Sequence, residues 1–181
     1  MKEADTEWVL YLDADERIDQ NLKIEIQREI LEGEFSAYAI PRKNIILGKE
    51  LTHGGWYPDY QKRLFRKNNF ISWQGQLHEE PTYEGFLGHL KSPMTHVKHE
   101  NFAQMIEKTN DWSEYEAKLM YEAKHPPMTV PRFASAMWRE FWQRMVIKQA
   151  FKDGKVGIMF ASYQVFSRFI SYAKLYELQS K

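Results

Sequence analysis

Two aspartates one residue apart stand where an apolar segment of the sequence gives way to charge. Residues 7–12 (EWVLYL) are followed at once by residues 13–16 (DADE). In open α/β sheets ligands gather at the carboxyl ends of strands. Asp13 and Asp15 can therefore share a hard divalent cation, which in turn neutralises a diphosphate. The alternative is a solvated acidic turn that leads into a helix.

A second group of chemically capable residues is the run 75–80 (GQLHEE). A carboxylate beside a histidine in a loop flanked by glycine can act as a general base towards a hydroxyl nucleophile. The alternative is an exposed loop with ordinary charges. A metal-dependent hydrolase built from this run and DADE is disfavoured, because no compact metal-ligand spacing links them.

The third group is the run 53–60 (HGGWYPDY), with Arg63 and Arg66 after it. Trp56 and Tyr60, near two glycines, can offer flat faces on which a sugar ring stacks. The arginines can hold phosphate oxygens. Alternatively, the aromatic rings are core residues and the glycines form turns. His96, further along, can donate a nitrogen to a metal, although a lone histidine is more often structural.

The pattern around these groups predicts strands in the first half of the chain. Residues 7–12 read as a buried strand, and residues 36–47 as a strand that Pro41 interrupts, at a sheet edge or bent. Asp19 is suited to cap a helix through Glu32 that ends at Gly33 and has a stripe of Leu22, Ile26 and Ile30. We expect residues 48–88 to be rich in loops, with a strand-like run at 61–67 (QKRLFRK), and residues 86–97 to form the last strand.

Helices are predicted after residue 98. Asn101 caps a long helix through Lys124, which the run 125–127 (HPP) breaks. Two more helical stretches follow, about 132–151 and 155–178, separated by residues 152–154 (KDG). The sequence thus predicts an α/β part, 1–98, and a helical part, 99–181.

Charge and aromatic residues are concentrated in the carboxy-terminal helices. The chain of 181 residues has a net charge of zero, but residues 132–181 hold nine Lys or Arg and three Asp or Glu, a net +6. Phe and Trp alternate with these basic residues. Such a face suits an anionic membrane surface or nucleic acid, or packing against the rest of the protein or another subunit.

Composition excludes several classes. There is no cysteine, so disulfides and thiolate metal sites are excluded, in keeping with a cytoplasmic protein. No run approaches the roughly 20 apolar residues that span a bilayer, and the acidic, polar start does not resemble a signal peptide.

The motifs occur together in an order that resembles the family 2 glycosyltransferases. They are WVLYLDADE, GWYPDYQKRLFRK, GQLHEE and a histidine ahead of a Lys-containing helix, followed by FWQRMVIKQAFKDGKVG and SYAKLYEL. The closest similarity is to the bacterial lipopolysaccharide-core and related cell-surface sugar transferases. It extends over nearly the whole chain.

This resemblance implies a fold, a reaction and roles for residues. The fold would be an incomplete glycosyltransferase A-type, Rossmann-like mixed sheet without its first strands, followed by a helical region. The reaction would be inverting transfer of a sugar from a nucleotide-diphosphate donor to a cell-surface glycan or lipid-linked acceptor. The implied cofactors are a divalent metal, Mn²⁺ or Mg²⁺, and a nucleotide-sugar donor of the UDP-sugar type.

The family's site residues map onto this sequence by motif. Asp13 and Asp15 would bind the diphosphate and its metal, with His96 completing the metal site. Glu79 would be the base that deprotonates the acceptor. Trp56, Asp59 and Arg63 would lie on the acceptor side.

The family also carries an amino-terminal nucleotide-binding half that this sequence does not contain. We therefore expect this chain alone to have little or no activity, and to self-associate through an uncovered sheet edge. We expect no nucleic-acid partner, and a cytoplasmic location with peripheral contact to the inner face of the membrane. The alternative function is a non-catalytic interaction or membrane-surface module derived from a glycosyltransferase.

Overall fold

The structure, a computed structural model, describes residues 5–75 and 80–181. The chain divides into two compact units. The first comprises Met1–Ile45 and Tyr57–Lys98, and the second comprises Ile46–Trp56 and His99–Lys181. The second unit therefore takes a short segment from the middle of the α/β half of the sequence.

A mixed sheet dominates the strand-forming part of the chain. Its strands are β1 (Trp8–Leu10), β2 (Glu16–Arg17), β3 (Ala37–Ile46), β4 (Lys49–Glu50), β5 (Asp59–Arg66), β8 (Leu87–His89) and β9 (Met94–His99). The order is β1-β5-β3-β9-β2, and β4 and β8 also pair with β3. β5 runs antiparallel to β3 and β8 runs parallel to it. The predicted α/β class with a mixed sheet and carboxy-terminal helices is confirmed.

Residues 36–47 are predicted to form a strand at a sheet edge or a bent strand. The edge position is wrong, because β3 lies in the interior of the sheet. β3 is irregular, with a register shift against β5 between Tyr38 and Ala39. Pro41 pairs with Tyr60 of β5. On the other side of β3, pairing with β8 ends at Ala39, whose carbonyl accepts a hydrogen bond from the N–H of Leu90 at 2.9 Å.

Within residues 48–88, β5 confirms the predicted strand-like run 61–67. The stretch also contains two strands that were not predicted, β6 (Phe70–Gln74) and β7 (Glu80–Tyr83), which form a two-stranded antiparallel sheet. A short 3₁₀ turn, Lys67–Asn69, connects β5 to β6. Residues 86–97 form two strands, β8 and β9, where one was expected. Strands of two to five residues carry too few alternating positions to be recognised from hydrophobic pattern alone.

The first helix, α1 (Gln20–Glu32), follows its sequence signals closely. The carboxylate of Asp19 accepts a hydrogen bond from the N–H of Leu22 at 2.8 Å, which satisfies one of the free donors of the first turn. Leu22 and Ile26 are buried, and Ile30 packs against the same core. That core also contains Trp8, Tyr38, Ile40, Leu64, Leu90 and Met94.

The second unit is built on three helices, α2 (Phe102–Glu122), α3 (Val130–Trp142) and α4 (Gly154–Gln179). Asn101 caps α2 through a hydrogen bond from the N–H of Gln104 at 2.9 Å, as predicted. A π-helical turn, Gln143–Ile147, and a 3₁₀ turn, Ala150–Asp153, connect α3 to α4. Among the described residues, no helix combines the length and the apolar composition needed to cross a membrane.

Residues 46–56 are attached to these helices by the carboxylate of Asp153, which is 5% exposed. It accepts hydrogen bonds from the N–H groups of Thr52 at 3.0 Å and His53 at 2.7 Å, and from the Thr52 hydroxyl at 3.0 Å. Burial raises the pKa of Asp153, but the hydrogen bonds from His53 and Thr52 outweigh it, so the pKa lies below its ordinary value. The folded state thus favours the ionised form.

Replacing Asp153 with Ala should lower the free energy of unfolding by about 2 kcal/mol at neutral pH, because two backbone donors lose their acceptor. The depressed pKa means that this contribution is complete above the ordinary carboxyl pKa and is lost as the pH falls through the folded-state value. Urea titrations of wild type and Asp153→Ala should therefore converge in acid. Asp111→Ala, at an exposed position on α2, is the matched control. An equal loss in that control, or a gap that persists in acid, would contradict the assignment.

Candidate functional site

The DADE turn is held at the end of β1 by its own backbone and by strand pairing. The N–H of Glu16 donates to the carbonyl of Asp13 at 3.0 Å, and the N–H of Asp13 donates to the Glu16 carboxylate at 3.1 Å. β2 pairs antiparallel with β9, with Glu16 opposite His96. This register brings Asp15, one residue earlier, beside the side chain of His96.

A buried carboxylate anchors the turn to the sheet. The side chain of Glu16 is fully buried, and its Oε1 lies 2.7 Å from Arg63 of β5 and 3.6 Å from Arg42 of β3. Arg63 also donates to the carboxylate of Asp13. Burial lowers the pKa of Arg63, but the hydrogen bond and charge of Glu16 outweigh it and leave the pKa raised. Arg63 is therefore occupied by carboxylates of its own chain.

Arg42 connects this cluster to Asp59 of β5. Its guanidinium donates to Asp59 Oδ2 at 2.7 and 2.8 Å. The amide of Asn44 donates to the same oxygen at 3.0 Å, and Gln61 donates to Oδ1 at 2.8 Å. Burial raises the pKa of Asp59, but the Asn44 hydrogen bond and the Arg42 charge outweigh it, and the pKa lies below its ordinary value. Asp59 is therefore an ionised acceptor.

The ionised Asp59 determines which nitrogen of His96 carries a proton. Because Asp59 can only accept, the NH₂ group of Asn44 faces it, and the Asn44 carbonyl faces His96 Nδ1 at 2.6 Å. Nδ1 must then be the donor. Burial and the charge of Arg42 lower the pKa of His96, which favours the neutral ring. Nε2 is left with a lone pair, and it lies 3.5 Å from Asp15 Oδ2.

His96 Nε2 and Asp15 Oδ2 thus form a pair of facing acceptors, a geometry that a cation can bridge. Two ligand atoms at about 2.1 Å from one metal stand about 3 to 3.5 Å apart. A metal-binding histidine also usually donates its other N–H to an oxygen, as Nδ1 does here to Asn44. Among the described residues, no group of three or more His, Asp or Glu side chains is arranged to hold a metal ion. The pair fits a cation whose other ligands are phosphate oxygens and water.

Five of the sequence-predicted residues join this network in the first unit: Asp13, Asp15, Asp59, Arg63 and His96. Asp13 and Asp15 keep 58% and 39% of their side-chain surface exposed. Arg63, predicted to hold phosphate, pairs with Asp13 and Glu16.

The remaining predicted residues fall elsewhere. Tyr60 of β5 is exposed, with its ring edge-on to His89 at 5.0 Å. Trp56 belongs to the second unit, where its ring packs on Phe160 at 5.0 Å and under the Arg144 guanidinium at 5.3 Å. Glu79, the predicted base, and His78 lie outside the described residues.

Sequence reasoning missed Glu16, Arg42 and Asn44. Glu16 was read as one more acid in the DADE turn, although it is the member with no exposed surface. The signal for the other two was available: Arg42 and Asn44 are polar residues inside the otherwise apolar run 37–46 (AYAIPRKNII). A buried polar residue in a central strand must have partners.

The charges of the network do not balance. Its four carboxylates, on Asp13, Asp15, Glu16 and Asp59, face two guanidinium groups, on Arg42 and Arg63, and a neutral His96. Among these groups the carboxylates outnumber the guanidinium groups by two, Lys98 also acts on His96, and the exposed carboxylates are those of Asp13 and Asp15. A divalent cation would neutralise these two carboxylates.

Comparison with known proteins gives one informative similarity. Over 95% of its length, the chain is similar to a protein of Rickettsia bellii (strain RML369-C) named "Uncharacterized glycosyltransferase". The two are 25% identical over 187 aligned positions. This supports a glycosyltransferase relationship. The chain spans 62% of the length of that relative.

The other comparisons find no counterpart. No protein-family model matches the chain, and no solved structure matches it. The more specific similarity to family 2 and to lipopolysaccharide-core transferases stays a prediction from the motifs.

Removing the buried carboxylate should destabilise the first unit strongly. Glu16→Ala removes a carboxylate partner from Arg63 and from Arg42, both of which are largely shielded from solvent. It should lower the free energy of unfolding by about 3 kcal/mol, a change that chemical denaturation measures. Glu7→Ala is the matched control, because Glu7 is 69% exposed and pairs with Arg66 at only 3.6 Å; it should change stability by less than about 1 kcal/mol. Equal effects of the two substitutions would refute a special role for Glu16.

The tautomer of His96 can be read directly. Long-range ¹H–¹⁵N NMR at neutral pH without metal should show a protonated Nδ1 and an unprotonated Nε2. Asn44→Ala should abolish that preference, because the acceptor for Nδ1–H is gone. The exposed His89 is an internal control, and its signals should not change. A protonated Nε2 in the wild type would show that the amide of Asn44 is oriented the other way.

Proposed function

We propose that the first unit binds the diphosphate of a nucleotide sugar through a divalent cation, and that the protein transfers the sugar to a hydroxyl acceptor. The observation that carries the proposal is the pair of facing acceptors, Nε2 of the buried His96 and Oδ2 of the partly exposed Asp15, at 3.5 Å. The similarity to a glycosyltransferase over 95% of the chain supports it independently.

The charge of the cluster supports a dependence on metal. A nucleoside diphosphate is itself anionic, so the exposed carboxylates of Asp13 and Asp15 would repel it. Arg63 and Arg42 do not remove that repulsion, because each is already paired with carboxylates of the chain. A bound divalent cation would attract both the carboxylate oxygens of Asp13 and Asp15 and the diphosphate oxygens, and would stabilise the leaving diphosphate.

The chain's own residues divide the remaining work. Asp15 and His96 hold the cation, and Asn44 and Asp59 keep the imidazole neutral and oriented. Glu16 and Arg63 fix the DADE turn on which Asp15 lies. Tyr60, exposed on β5, offers an aromatic face to a sugar ring.

The proposed reaction is a single inverting displacement. The acceptor hydroxyl forms a bond to the anomeric carbon as the bond to the nucleoside diphosphate breaks, and a base takes the hydroxyl proton. We propose Glu79 for this role, on the motif resemblance alone. The proposed donor is a UDP-sugar, the proposed metal Mn²⁺ or Mg²⁺, and the proposed acceptor a cell-surface glycan or lipid-linked sugar.

Calorimetric titration with uridine diphosphate, with and without Mn²⁺, tests the binding half of the proposal. Binding should require the metal, and Asp15→Ala should weaken it at least about tenfold. Asp111→Ala, at an exposed position on α2, should bind as the wild type does. Binding that needs no metal, or that survives Asp15→Ala unchanged, would overturn the site. No binding at all would favour the alternative of a non-catalytic module.

A further inference from the structure

The exposed face of α3 carries aromatic rings that pack on each other. Trp138, Phe141 and Trp142 are 60%, 37% and 46% exposed. Their spacing of three and four residues places them on one side of the helix. The Trp138 ring lies 5.9 Å from Phe141 and 5.7 Å from Trp142. Large apolar side chains that contact one another at the surface mark an interaction site.

Two exposed aliphatic side chains follow the end of the helix. Val146 and Ile147, in the π-helical turn, are 38% and 57% exposed. We call Trp138, Phe141, Trp142, Val146 and Ile147 the aromatic ridge. All five belong to the second unit and to one continuous helical segment.

The surroundings of the ridge are basic. Residues 132–181 carry a net charge of +6. Arg139 and Arg168 line an open hollow of about 600 Å³ together with Trp138 and Trp142. The acid that also lines it, Glu140, is neutralised by Arg144 at 2.6 Å. Arg168 contacts Glu116 at 3.7 Å, whereas no carboxylate in the described part of the chain pairs with Arg139.

We propose that the aromatic ridge docks the protein on a bilayer surface that contains anionic lipid. Trp rings prefer the headgroup level of a bilayer, and an apolar helix face with basic flanks lies in that interface. The aliphatic Val146 and Ile147 can bury in the acyl boundary, while Arg139 meets lipid phosphates. This proposal does not depend on the proposed sugar transfer, since it uses residues of the second unit alone.

Two other occupants fit the ridge less well. A two-fold dimer through the same face would set its basic fringe against an identical basic fringe. A single-stranded nucleic acid would need free ring faces for its bases, whereas the rings here pack on each other and adjoin aliphatic side chains.

Flotation with lipid vesicles tests the proposal on the full chain. We expect binding to phosphatidylcholine vesicles containing phosphatidylglycerol, and weaker binding to pure phosphatidylcholine. The double variant Trp138→Ser with Trp142→Ser should reduce the affinity for anionic vesicles at least about tenfold. The control pairs Tyr115→Ser with Tyr121→Ser on α2, at 61% and 51% exposure, and should change it less than about twofold. Circular dichroism checks that both variants are folded.

Three results would overturn the proposal. The first is no binding of the wild type to anionic vesicles. The second is equal loss in the ridge variant and the control. The third is a dimer in light scattering that the ridge variant abolishes while vesicle binding is unchanged, which would assign the ridge to a second copy.

Discussion

The first unit depends on a carboxylate that has no contact with water. Glu16 lies at the start of β2, 47 residues in sequence before Arg63 and opposite His96, with its side chain fully buried between two guanidinium groups. Burying a charge is costly unless it is paired and hydrogen-bonded, so the two arginines must stay in place. They come from β3 and β5, neighbouring strands of the sheet. The turn between β1 and β2 is thereby tied to the middle of the sheet, and Asp13 and Asp15 are exposed on a support that cannot move freely.

A chain of ion pairs and hydrogen bonds extends from Glu16 to His96, and in each hydrogen bond the chemistry of the two groups determines which one donates. Arg42 contacts Glu16 on one side and keeps Asp59 ionised on the other. Asp59 orients Asn44, and Asn44 orients His96. Each step has one solution, because a carboxylate only accepts and an amide has one donor end and one acceptor end. The absence of a proton on His96 Nε2 is therefore determined through the opposite ring nitrogen, Nδ1, by Asn44, Asp59 and Arg42.

How much of this could be predicted depends on the distance in sequence between partners. Asp19 and Leu22, or Asn101 and Gln104, are three residues apart, and the caps of α1 and α2 and the apolar stripe of α1 were predicted correctly from such local signals. The bond between Asn44 and His96 spans 52 residues, and that between Thr52 and Asp153 spans 101. No local pattern encodes these pairings. Pro41 shows the same limit: its local rule favours an edge, but the strand that contains it lies in the interior of the sheet. The motif resemblance located the acidic turn and His96, but could not reveal that Glu16, Arg42 and Asn44 support them.

The zero net charge of the chain conceals two surfaces of opposite sign, and their geometry makes them respond differently to salt. In the first unit the excess negative charge is concentrated on Asp13 and Asp15, next to a neutral imidazole. Ligands in direct contact with a cation are separated from it by far less than a Debye length, so salt screens their attraction weakly. In the second unit the positive charge lies in residues 132–181, with a net +6, whereas α2 carries a net −3; the attraction of these basic residues for an anionic surface acts through solvent. Raising ionic strength should therefore release the second unit from a charged surface before it affects a cation in the first. Cation binding by the first unit and surface binding by the second unit use different residues and differ in their sensitivity to salt. Loss of one therefore does not imply loss of the other.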